Sequence, residues 1–72
     1  MTSVALRDLI ARCDAYSEAA GLSRSRVSTL VLNDGKRLQA LKDGADITTR
    51  RLEAAHGRLD RLFADLERRK AA

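Results

Sequence analysis

Apolar residues recur along this chain at helical spacing, in stretches separated by polar, glycine-bearing breaks. From residue 3 to 20, Val4, Leu6, Leu9, Ile10, Cys13, Tyr16 and Ala20 fall at intervals of two to four, a broad stripe at the helical period. Ser3 suits its N-cap, and Gly21 suits the position just past its end, where positive φ is common. Ser23 can cap a second helix over 24–32, with Leu22 and Val27 as a hydrophobic staple and Val27, Leu30 and Val31 facing inward. Asn33-Asp34-Gly35 is a turn cluster. Residues 36–42 predict a short third helix with Leu38 and Leu41 inward, and 43–46 break it. Asp46 or Thr48 can then cap a last helix over 48–70, with Ile47 packing on Leu52. Leu52, Ala55, Leu59, Leu62 and Leu66 alternate by three and four along it, the spacing of a heptad seam, with Phe63 alongside. Gly57 interrupts that helix at about 1 kcal/mol against Ala, and marks a kink, a close contact or a boundary between two shorter helices. The pattern predicts an all-α domain of about four helices, the last one long.

Length and composition narrow the picture. Seventy-two residues make one domain, with no room for a dinucleotide-binding sheet plus a substrate domain. Hydrophobic residues at 44% and charged residues at 33% are a folded balance, and aromatics at 3% leave an aliphatic core. A core this small favours oligomerisation or partner binding. No apolar run reaches membrane-spanning length and no secretory leader pattern opens the chain, so the expected compartment is the reducing cytoplasm.

Chemistry-bearing residues are sparse. The single Cys13 excludes an internal disulfide, and its place on the apolar stripe reads as a small buried hydrophobe. His56 has no His, Cys or carboxylate partner at metal-ligand spacing. Asp60, Asp65 and Glu67 lie among arginines and read as intrahelical partners, Asp65 to Arg69 for example. The glycines do not fit a phosphate loop, and no nucleophile–base set can be assembled. The expectation is no enzyme, no cofactor, no metal and no small-molecule ligand.

Charge points to a partner. The net charge is +4, but residues 1–22 sum to −1, 23–51 to +4 and 52–72 to +1. The basic excess lies in the middle of the chain, as a polyanion-binding segment would have it. Within it, Ser23, Arg24, Ser25 and Arg26 open the second helix, and no acidic residue follows before Asp34. A helix N-terminus with free N–H groups, hydroxyls and guanidiniums suits phosphate, and Arg can grip guanine O6 and N7 in the major groove.

The stretch G-L-S-R-S-R-V-S-T-L-V at 21–31 resembles the helix-turn-helix of bacterial repressors, especially the lactose-repressor type, G-V-S-x-x-T-V-S-x-V. Gly21 matches the turn glycine, Leu22 the apolar turn residue, Ser23 the cap, Val27-Ser28 the Val-Ser pair and Leu30 the next core position. The downstream N-D-G-K-R-L-x-x-L-x-x-G-x-D-I-T-T-R-R-L is similar to short bacterial and prophage helix-turn-helix proteins, of the lambda-repressor-like kind. The resemblance covers roughly residues 20–55 within a motif spanning about 13–33. It departs at Ser17, where the family usually has Ala, and in the unbroken first helix, where phage-type relatives place two.

The resemblance implies a sequence-specific regulator of transcription, a repressor of prophage or mobile-element type, that binds an inverted repeat in duplex DNA as a homodimer and is associated with the nucleoid. Helix 24–32 would be the recognition helix. Arg24, Ser25 and Thr29 take the positions aimed at base edges, and Ser23, Arg26 and Ser28 those that meet phosphates. Asn33, Lys36 and Arg37 would hold the backbone, and Thr48, Thr49, Arg50 and Arg51 would form a second phosphate clamp. On the last helix Leu52, Ala55 and Leu59 serve the core, while Leu62, Phe63 and Leu66 form a dimer seam in which Leu59 is also placed. The rival reading is a helical adaptor without a nucleic-acid role, its C-terminal helix docking on another protein. Membrane-surface association ranks third, because the charges of the last helix nearly cancel and Trp is absent.

Overall fold

Local signals end each helix where the chain must turn. The computed structural model describes residues 4–71, so the N-cap expected at Ser3 lies outside the described residues. Helices α1 (Val4–Ala20), α2 (Arg24–Leu32), α3 (Arg37–Lys42) and α4 (Thr49–Ala71) follow one another, with no strand among the described residues. Gly21 takes φ +69°, and the Leu22 N–H reaches back to the Ser17 carbonyl at 3.1 Å, the closing bond of a Schellman turn. Asn33 ends α2 in the left-handed region at φ 59°, its N–H donating to the Thr29 carbonyl at 3.0 Å. At the start of α4 the Thr48 hydroxyl accepts the Arg51 N–H at 3.3 Å, so Thr48 rather than Asp46 provides the cap. Gly57 marks no boundary between two helices: α4 runs through it as a single helix, and a Cβ there would meet open space.

The core is aliphatic. Leu6, Leu9, Cys13 and Tyr16 of α1 meet Val27 and Val31 of α2, Leu38 and Leu41 of α3, and Ala55 and Leu59 of α4. Three contacts fix the direction of the α1–α4 pair: Ala5 with His56, Arg12 with Asp60, and Tyr16 with Phe63. Partners climb both helices in the same sense, so α1 and α4 lie side by side in parallel. The 23 residues of α4 extend about 34 Å at 1.5 Å per residue, most of the 41 Å long axis of the molecule. No helix is long and apolar enough to cross a membrane, among the described residues.

The apolar stripes hold with corrections. Val4 is exposed, not part of the α1 stripe. Leu30 is 37% exposed, whereas Ser28 is fully buried, so the inward face of α2 is Val27, Ser28 and Val31. Leu59 is 0% exposed and belongs wholly to the core, which removes it from any dimer seam. Phe63 is half-buried against Tyr16, edge to face at 5.3 Å between centroids. Of the expected seam, Leu62, Phe63 and Leu66 keep part of their surface in solvent, all three half-buried. Asp65 pairs with Arg68 at 2.6 Å, one residue earlier than the Arg69 expected.

Candidate nucleic-acid interface

The turn before α2 is fastened from both sides. The Ser17 hydroxyl donates to the Leu22 carbonyl at 2.5 Å, an anchor that an Ala at this position could not make. Ser23 sits in extended backbone and its hydroxyl accepts the Arg26 N–H at 3.2 Å, capping α2. The start of α2 is therefore held firmly while its outer side chains stay in solvent. No carboxylate lies between Ser23 and Asn33.

Ser28 is where sequence and structure part most clearly. It was expected at a phosphate, but its hydroxyl donates to the Asp34 carbonyl and accepts the Leu38 N–H at 2.9 Å. The Leu38 N–H is one of the open donors in the first turn of α3. Ser28 thus ties α2 to the next turn and caps α3 from inside, out of reach of any phosphate. Asp34 supports the same turn by accepting the Lys36 N–H at 2.9 Å. Gly35 completes it by close approach: a Cβ there would stand 3.1 Å from Ser25 Oγ and 3.3 Å from Thr29 Oγ1.

These contacts reorder the outer face of α2. Arg24 points back to α1, where its Nε is 3.6 Å from Asp14 Oδ1, a carboxylate already held by Lys42 at 2.8 Å. Ser25 and Thr29 flank the Gly35 turn, and the Thr29 hydroxyl donates to the Ser25 carbonyl at 3.1 Å. Opposite the buried Val27, Ser28 and Val31 stand Arg26, Thr29 and Asn33, with Ser25 on one flank and Leu30 on the other, all exposed. Of the residues expected at base edges, Thr29 shares this pole, Ser25 lies on its flank and Arg24 lies on the α1 side. The pole gains Arg26 and Asn33, and Leu30 lies on the flank away from Ser25. Leu30 could have been placed there by one signal, a stripe phased on Val27 and Val31 with a small hydroxyl residue between them.

Parts of the two expected backbone clamps, Asn33 and Arg37 of one and Arg51 of the other, meet in one groove. A cavity of about 380 Å³ lies between the end of α2 and the first half of α4. Asn33, Arg37 and Arg51 line it, together with Arg58, which the sequence did not single out. Arg58 Nη1 donates to the Val31 carbonyl at 3.1 Å, placing a cation at the negative end of α2. Arg37 makes a long bond of 3.4 Å to the Asp46 carbonyl. Lys36, Thr48, Thr49 and Arg50 are exposed but do not line the groove.

The opposite seam is chemically closed. Arg12 donates to His56 Nδ1 at 2.7 Å and to Asp60 Oδ1 at 2.5 Å, and lies 5.9 Å from the Phe63 ring centre. An Nδ1 that accepts leaves the His56 Nε2–H to donate to the Ala5 carbonyl at 3.3 Å. Cys13, beside this seam, is buried, and desolvation first and the Asp14 charge second push its thiol up to about 11. Such a thiol is inert at neutral pH. Among the described residues, no group of three or more His, Cys, Asp or Glu is placed to hold a metal.

No family model, curated protein or solved structure matches this chain. The functional reading accordingly rests on the residues and their geometry.

Proposed function

We propose that this protein is a sequence-specific duplex DNA-binding regulator that acts as a homodimer. The observation that carries the reading is the α2 face: a capped, turn-anchored helix, buried on one side only, whose free side bears Arg26, Thr29, Leu30 and Asn33 and no acid. Such a helix fits the major groove, which admits one α-helix. At the pole beside Thr29, Arg26 is suited to guanine and Asn33 to adenine, and on the flanks Leu30 is suited to the thymine methyl and Ser25 to either base edge. The Ser23 cap, Lys36, Arg37, Thr48, Thr49, Arg50 and Arg51 supply donors and charge for the phosphates on either side.

Dimerisation falls to the outer half of α4, through Leu62, Phe63 and Leu66. Two copies would place their α2 helices one turn of DNA apart, about 34 Å, on an inverted repeat. Control of transcription, in the manner of a prophage repressor, follows from occupancy of such a site. The adaptor reading draws on the same Leu62, Phe63 and Leu66 stripe, but leaves the unpaired Arg26 of α2 without a role.

Selection of bound sequences from random duplexes tests the reading. The expected result is an enriched inverted repeat, lost with Arg26→Ala. Recovery of no preferred sequence at low salt, from protein shown to be folded, would favour the adaptor.

A further inference from the structure

We infer that the groove between α2 and α4 is a binding site for a small aliphatic carboxylate. Three guanidiniums, those of Arg37, Arg51 and Arg58, line one cleft. None of them pairs with a carboxylate within 4.0 Å, although the other close ion pairs of the fold engage Arg12, Arg24, Lys42 and Arg68. Like charges gathered in a concave site raise the local potential and concentrate anions there. Asp34 also lines the cleft, but its Oδ1 takes the Lys36 N–H, and one carboxylate leaves the lining at +2.

The floor sets the second half of the ligand. Leu32 and Ile47, half-buried, and Ala54, exposed, are the apolar members with surface to offer, and their side chains give nothing to a bare phosphate. A cleft of about 380 Å³ lies at the small end of ligand sites, which run from roughly 300 to 1,000 Å³, so the tail is short. A carboxylate at the rim can take two parallel N–H bonds from one guanidinium while its alkyl chain covers the floor. Arg51 is the best placed anchor, because Arg58 is committed to the Val31 carbonyl and Arg37 to that of Asp46.

The site itself does not depend on the DNA reading. A consequence does: Arg37 and Arg51 would serve both the ligand and the phosphates, so a bound acid would compete with DNA. That makes the groove an effector site in a chain whose sequence suggested none.

The test is titration of the full-length protein with sodium octanoate at constant ionic strength, followed by amide chemical shifts. Saturable shifts centred on residues 31–34, 47 and 51–58 are expected. Arg51→Gln should weaken binding about tenfold, as loss of a charge-assisted pair would. Ala54→Leu, at an exposed position of the lining, should abolish it while leaving the thermal melt intact. Octanol binding as tightly as octanoate would overturn the anion half of the proposal, and phosphate binding as tightly would overturn the aliphatic half. Shifts that never saturate or fall elsewhere would overturn both. Sequence selection on duplex DNA is read separately, so its failure leaves this result standing.

Discussion

Two sides of the molecule handle positive charge in opposite ways. Along the α1–α4 seam, Arg12 is held by His56, Asp60 and the Phe63 ring. Along α2 and its groove, Arg26, Arg37, Arg51 and Arg58 have no carboxylate within ion-pair distance. The acids of the described chain are not scarce, so the difference is one of placement. A seam that satisfies itself contributes to folding. A face that leaves its cations unpaired lowers its electrostatic energy only by meeting an anion from outside.

That contrast can be broken first at the core beneath both sides. Leu59→Ala should cost about 2–5 kcal/mol, because the residue is fully enclosed. Leu66→Ala, on the same helix and half-buried, should cost far less in stability and instead shift the monomer–dimer equilibrium in sedimentation. Equal destabilisation by both would remove the division of α4 into core and seam.

Ser28→Ala comes next. It strands the Leu38 N–H and the Asp34 carbonyl, at about 1–3 kcal/mol by denaturant melt. A variant that is destabilised yet keeps the wild-type salt slope of DNA binding confirms that Ser28 is an internal tie. A shallower slope with unchanged stability would return it to the phosphates.

Alkaline pH probes the seam through Cys13. The folded thiol is held near 11, above its ordinary 9.0, so the neutral form is favoured in the fold. The stability this contributes is fully present below pH 9 and is lost as pH rises through 9 towards 11. Cys13→Ala should lose less stability than wild type over that window, and thiol reagents should label wild type only on unfolding. Rapid labelling of the native protein would contradict the burial.

The smallest stability effects are the most diagnostic. Arg12→Ala should cost on the order of 1 kcal/mol or less, since Asp60 is largely exposed. Arg26→Ala should leave stability within about 0.5 kcal/mol and yet weaken duplex binding. Replacing thymine by deoxyuridine in a selected site sharpens the role of Leu30, because only the methyl is lost.

Much of this fold is legible in the chain. Helical periodicity and the Gly21, Ser23 and Thr48 signals place α1, α2 and α4 within a residue of where they lie. Local chemistry decides such boundaries, so local sequence reveals them. Phase within a short helix is less legible. In the nine residues of α2, hydrophobicity favours Leu30 as an inward residue, but the fold rotates Ser28 inward because the α3 turn needs its hydroxyl. Contacts at long separation are not legible at all. Nothing local brings Arg12 to His56, 44 positions away, or joins the Asn33–Arg37 and Arg51 clamps across one groove. The candidate site is thus half readable: its residue types are, and its facing is not.

Amide shift mapping of the full chain with a selected duplex tests the central claim most directly. The account predicts shifts along residues 23–33 and at the start of α4, with the Ala5, Arg12, His56 and Asp60 seam silent. Shifts confined to that seam, or none at any salt concentration, would contradict it.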